Sequence, residues 1–256
     1  MNNLTEFLNR KVGEYNQLSF VQDDPVCIPH SFTSLQDIEI SGLFAAIFAW
    51  GNRTTIINKS RELLRRMDNA PYDFVLNHEP SDLKSLLGFK HRTFNDTDLL
   101  YFVHFLNYHY QHNPSLESAF TRNIRRDDTD TTNMLNGFYA YFFSLPDAPP
   151  RTQKHVASPA KNSTCKRLSM YLRWMVRRDK CGVDFGLWRK IKPSQLVCPI
   201  DIHVARVATR FGLLQRKMID WQAALELTTE LRKLDRNDPV RYDFALFALG
   251  VVEKFS

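Results

Sequence analysis

Residues 163–177 read STCKRLSMYLRWMVR. Leu168, Tyr171, Leu172 and Met175 recur with the spacing of one face of a 3.6-residue helix. Lys166, Met170, Arg173 and Arg177 follow one another at i, i+4, i+7 and i+11, on a second face. The pattern predicts a helix that buries one side and offers cations and one thioether on the other, with Ser163 or Thr164 as its N-cap. The same period recurs outward from this stretch. Leu4, Phe7, Leu8 and Val12 form one stripe, Leu43, Ala46, Ile47 and Trp50 another, and Leu99, Phe102, Val103 and Leu106 a third. Asn95, Asp220 and the run Asn237-Asp238-Pro239 read as helix starts. With only 9 glycines and no alternating strand pattern, the chain is expected to be all-α.

The 256 residues are 43% hydrophobic and include 19 phenylalanines, enough apolar material for a sizeable core, which excludes a disordered chain. The expectation is a single helical unit over 1–256 made of two interlocked lobes. One is barrel-like over residues 38–176; the other joins 1–37 to 177–256. No apolar run approaches the length of a membrane span, and the polar start MNNLTEFLNRK does not read as a signal peptide. A cytoplasmic, nucleoid-associated protein without membrane partners is expected. The four cysteines form no CxxC pair and no iron–sulfur or zinc spacing. His104, His109 and His112 share no common helix face, and Asp127-Asp128-Thr129-Asp130 lacks the glycine and closing glutamate of a calcium loop. No metal and no cofactor is expected.

Residues 145–163, LPDAPPRTQKHVASPAKNS, read as a long connection between helices. From Arg151 to Lys192 there are twelve Lys and Arg against two acids, a local +10 in a chain of +6, so the remainder carries −4. Such concentration is the footprint of a polyanion partner, nucleic acid first, although a solvated helix face has the same composition. Trp188, among basic residues in GVDFGLWRKIKP (182–193), fits either a backbone-contacting turn or a core-anchored connector.

Two groups could carry chemistry. Lys166 falls in the first turn of its helix, where the positive end of the dipole favours a neutral, nucleophilic amine. Asp201, in Pro199-Ile200-Asp201-Ile202-His203, precedes Val204, Ala208 and Phe211 at i+3, i+7 and i+10 and so lies at the head of an apolar helix face, partly desolvated. Each has an ordinary reading when taken alone, a solvated lysine and a helix cap respectively.

Together, a lysine opening one helix and a Pro-x-Asp opening the next resemble the helix-hairpin-helix DNA glycosylase superfamily. The thirty-five residues from Lys166 to Asp201 and the run KRLSM (166–170) are most similar to its archaeal 8-oxoguanine glycosylase branch. SGLFAAIFAWGNRTTIINKSRELL (41–64) resembles the superfamily's early helix pair, and the likeness extends over about residues 37–255. The whole chain also resembles a bacterial family with no assigned activity. The sequence departs from the superfamily pattern in places. SPAKNSTCK replaces the glycine-rich hairpin before the lysine, and Phe247 stands where a tryptophan is usual.

The resemblance implies roles. Lys166 would attack the sugar C1′, with Asp201 activating it and stabilising oxocarbenium-like charge. Met170 would pack on a flipped base, with Asp243 and Phe247 binding and stacking on it. Trp50 and Asn52 would contact bases, while His203, Ser163, Thr164, Arg173 and Arg177 would approach the DNA backbone. The expected function is a monomeric DNA glycosylase with AP lyase activity, acting on double-stranded DNA that contains an oxidised purine such as 8-oxoguanine. Two alternatives remain from the residues. One is a monofunctional glycosylase for another damaged base; the other is a DNA-binding protein of the same fold without catalysis.

Overall fold

The computed structural model describes residues 2–253. Met1 and residues 254–256, which fall within the expected first helical segment, second lobe and span of resemblance, lie outside the described residues. The protein is mostly helical. The helices are α1 (Asn2–Tyr15), α2 (Leu18–Val21), α3 (Leu35–Phe48), α4 (Arg53–Arg66), α5 (Pro71–Asn77), α6 (Asp96–His112), α7 (Glu117–Thr121), α8 (Thr132–Phe142), α9 (Lys166–Val176), α10 (Ile202–Arg210), α11 (Trp221–Leu234) and α12 (Asp243–Phe247). A π-turn over Ala248–Val252 follows α12, and a small antiparallel hairpin pairs β1 (Lys90–His91) with β2 (Phe94–Asn95). Among the described residues no helix is long and apolar enough to cross a membrane.

The chain divides into two compact units. One comprises residues 2–21, 125–133 and 158–253, the other 22–124 and 134–157. These bounds differ from lobes changing over at 37 and 176. The helix α9, placed from its sequence with the barrel-like lobe, folds instead in the unit that holds Asp201 and Asp243.

In the unit containing α3, that helix is buried on nearly every side from Ile38 to Phe48, as a central helix must be. The helix ends at Phe48 with Ala49 as its cap, so Trp50 lies beyond it and not in its stripe, and Gly51 follows with φ at +103°. Glu39, fully buried, accepts from Tyr110 Oη (2.9 Å), Ser115 Oγ and the Leu116 amide (3.0 Å). A phenylalanine cluster fills the interior, with Phe120 and Phe138 stacked at 3.9 Å and Phe102 edge-on to Phe142 at 4.7 Å. The 145–163 connection is more ordered than its composition suggests. Buried Asp98 of α6 receives Arg151, Thr152 (2.8 Å) and His155 (3.2 Å), which tie residues 150–155 down. Burial pushes the Asp98 carboxyl up, but the close approach of His155 and hydrogen bonds from the Asn95 amide and Thr152 outweigh it and hold it down at about 2.

In the other unit, α1 buries Leu8 and Val12, and α9 buries Leu168, Tyr171, Leu172 and Met175. Trp188 settles as the core-anchored connector: 2% exposed, it meets Tyr171 edge-on at 5.5 Å and donates its backbone amide to the Met175 carbonyl. Asp220 caps α11 through the Ala223 amide at 2.9 Å. Within α11, Thr228 Oγ1 accepts the Cys198 amide at 3.0 Å, which fixes the buried segment Leu196–Ile200 leading to Asp201.

Candidate active site

Three helix beginnings converge in this unit. The first is reached through a tight turn. After the single 3₁₀ turn Pro159–Lys161, Asn162 and Cys165 both take left-handed backbone, φ +54° and +52°. Cys165, and neither Ser163 nor Thr164, is the N-cap of α9, and Lys166 is its first residue. Ser163 Oγ and Thr164 Oγ1 instead accept the amides of Cys165 (3.2 Å) and Lys166 (3.4 Å), which stabilise the turn and leave both side chains partly exposed. The chain thus makes a short helix–turn–helix without the glycines usual at left-handed positions.

The second is the start of α10. Asp201 is its N-cap, with Oδ1 accepting the His203 and Val204 amides at 2.9 and 3.0 Å. Its other oxygen, Oδ2, accepts from Lys166 Nζ at 2.6 Å. One carboxylate therefore does two jobs: it satisfies the helix terminus and holds the lysine. Burial pushes the Asp201 carboxyl upward, but the Lys166 charge and hydrogen bond and the two amides outweigh it and set it below the usual range. Both side chains keep access to solvent, 28% for Lys166 and 21% for Asp201. Ile202, next in sequence, is an exposed apolar side chain at the rim.

The third is α12. Asp243, 5% exposed, accepts at Oδ2 from Arg173 Nη1 at 2.5 Å, and its Oδ1 accepts no hydrogen bond from a described residue. Burial pushes its carboxyl up to about 6, against the pull of Arg173 and Lys166 and with the repulsion of Asp201. Those couplings put Asp243 in the same electrostatic neighbourhood as the Lys166–Asp201 pair. Phe247, one turn on, is half-buried and edge-on to Phe20 at 6.3 Å. Met170, one turn from Lys166, is also half-buried.

Arg173 and Arg177 do not lie on an open cationic face. Both are buried, and acids near in sequence as well as distant ones reach them. Arg173 binds Asp184 (3.2 Å) and Asp243; Arg177 binds Asp179 (2.6 Å), Asp184 (3.0 Å) and Asp238 (2.9 Å). Neither is therefore placed to meet a DNA phosphate. The cations of the 151–192 stretch that do reach the surface include Lys161, Arg178, Lys180, Arg189 and Lys190. His203 sits in the first turn of α10 with Nδ1 buried and without a hydrogen-bond partner. Trp50 and Asn52 belong to the other unit. There Asn52 caps α4 through the Thr55 amide at 3.1 Å, and the Arg92 guanidinium stacks on Trp50 at 4.1 Å.

Two residues of this site carry no motif in the sequence. Asp184 bridges both arginines; its only signal was being one of two acids in a strongly basic stretch. Gly250 lies against α10, where a Cβ would come within 3.0 Å of the His203 carbonyl oxygen. The metal reading of the histidines has no support among the described residues: no cluster of three ligating side chains occurs, and buried His109 is engaged by Tyr141 (3.1 Å) and the Ser115 carbonyl (3.0 Å).

Fold and site define a mostly helical protein whose lysine and carboxylate are set against each other by two successive helix starts. The family described as "Protein of unknown function (DUF2400)" matches residues 24–252, and the chain belongs to that family. No curated protein and no solved structure matches it.

Proposed function

We propose that this protein is a DNA glycosylase with AP lyase activity that removes an oxidised purine, 8-oxoguanine first, from double-stranded DNA, on a glycosylase-like helix-hairpin-helix core. The observation that carries this reading is the 2.6 Å approach of Lys166 Nζ to Asp201 Oδ2 across thirty-five residues. In the reaction Asp201 relays the Lys166 proton to the departing base, which leaves with the electrons of the C1′–N9 bond while the freed amine attacks C1′. Asp201, returned to its anionic form and partly desolvated, offsets the positive charge that develops on the sugar. Loss of the ring oxygen's bond to C1′ yields a Schiff base on Nζ; removal of a C2′ proton then expels the 3′ phosphate by β-elimination. Met170, one turn after Lys166, and Phe247, one turn after Asp243, would supply apolar surface for a flipped base, and Asp243 an acceptor for its N–H edge. The exposed cations of residues 161–190 supply attraction for phosphates.

Borohydride trapping on a duplex carrying 8-oxoguanine tests this. A covalent adduct is expected from wild type and none from Lys166→Ala. Base release that persists at the wild-type rate in Lys166→Ala makes the protein a monofunctional glycosylase. Duplex binding without release of any damaged base, and indifferent to Asp201→Asn, refutes catalysis and leaves a DNA-binding protein.

A further inference from the structure

We infer that Arg173, locked by Asp184, is a positioning residue that keeps Asp243 a charged acceptor with one oxygen open, so that the site takes a ligand edge made of hydrogen-bond donors. The inference rests on the proposed base excision for its consequence, while its physical core is a property of the protein alone.

The geometry is that of a clamp. Arg173 Nε binds Asp184 Oδ1 and Nη1 binds Asp243 Oδ2, so the guanidinium plane is fixed at two edges by two carboxylates. Its face is fixed too, since Cζ lies 4.3 Å over the buried Phe244 ring. Asp184, with a fully buried side chain, uses its second oxygen on Arg177 at 3.0 Å, and Arg177 is itself held by Asp179 and Asp238. Arg173 therefore has no freedom to turn toward a ligand. It consumes Oδ2 of Asp243 and leaves Oδ1 without a hydrogen bond from a described residue. That oxygen is not sealed in the interior, so it stays open to accept a hydrogen bond from a ligand N–H edge. An acceptor edge repels it. The class that fits is a ligand edge of N–H donors.

The groups facing Asp243 are Arg173 and Lys166 from α9, Asp201 at the head of α10, and the buried Cys198 thiol. Arg173 is the cation hydrogen-bonded to it, so removing Arg173 is the informative perturbation. The experiment is carboxyl ¹³C NMR titration of aspartate-labelled protein, with the Asp243 signal assigned by its loss in Asp243→Asn. In Arg173→Gln the Asp243 midpoint should rise by about one to three pH units, the effect of a lost neighbouring cation. Arg173→Lys, which keeps the charge, should restore most of the difference and serves as the test if the glutamine variant does not fold. A midpoint that stays in place overturns the inference, whatever the enzyme activity. Release of the damaged base should increase with pH through the wild-type midpoint, and that limb should move with the NMR midpoint in Arg173→Gln. A limb that does not move also overturns it. A shifted midpoint in a protein that releases no damaged base supports the clamp and sinks the glycosylase reading alone.

Discussion

Replacing Arg177 by methionine separates a structural arginine from a DNA-contacting one. Arg177 is 2% exposed, and its guanidinium is the shared counter-ion of Asp179, Asp184 and Asp238. Methionine keeps much of the volume and removes the charge. Asp184 retains Arg173, and Asp179 retains the Asn16 amide at 2.6 Å and the Cys181 backbone amide at 2.8 Å. Asp238 keeps no cation. Removing one partner from a buried pair costs about 3–5 kcal/mol. In a chain of this size each kcal/mol lowers Tm by ~2–4 °C, so a fall of roughly 10 °C is expected. The loss should depend on pH. Burial already raises the Asp238 carboxyl in the folded protein, despite the opposing pull of Arg177. A group whose folded value is raised binds its proton more readily when folded, so its charge penalises folding above that value and ceases to do so below the unfolded one. The variant's deficit should therefore be full near pH 7 and shrink as pH falls toward 4. Denaturant unfolding of the full-length variant and wild type at pH 7 and pH 4.5 measures both. A deficit under 1 kcal/mol, or one independent of pH, refutes the reasoning, and unaltered stability with weakened duplex binding would return Arg177 to the DNA.

Asp98→Asn probes the other unit: the Asp98 carboxyl is held at about 2 against an ordinary 3.8, which corresponds to about 2 kcal/mol for a fully buried group. Because the folded value is depressed, that stability is present above pH 4 and lost as pH falls toward 2, so variant and wild type should converge in acid unfolding curves. Gly250→Ala places a methyl 3.0 Å from the His203 carbonyl oxygen and 3.1 Å from its carbon. Both are backbone atoms that cannot rotate aside, so a loss of about 1–3 kcal/mol in thermal unfolding is expected.

What could be read from the sequence divides by range. Asn95, Asp201 and Asp220 were legible as helix starts because a cap binds amides two or three residues away. The core face of α9 was legible because burial follows a period that the sequence carries. The opposite face was misread for the same reason. Arg173 and Arg177 share the spacing of solvated cations, and their partners Asp243 and Asp238 lie 70 and 61 residues away. Cys165 as cap left no trace, since a left-handed cysteine has no residue-type signal. Trp50 fell outside its stripe because α3 ends at Phe48 with Ala49 as its cap, a boundary that the periodicity of Leu43, Ala46 and Ile47 does not reveal. Lys166 and Asp201 were singled out by residue type and order, whereas their approach is a product of the whole unit.

The division of the chain also sets an order of assembly. Residues 22–124 and 134–157 make up one compact unit, and every one of them precedes α9. During synthesis that unit can condense while the lysine is still unmade. The unit holding the pair closes later, for its first helix waits on the last residues: Lys11 and Tyr15 bond to Glu253, 242 and 238 positions downstream. At about 5–20 residues per second, α1 stays without its partners for roughly ten to fifty seconds, its apolar stripe exposed to chaperones. Such distant closure makes for slow folding, and it leaves the packing of α1 to a late step.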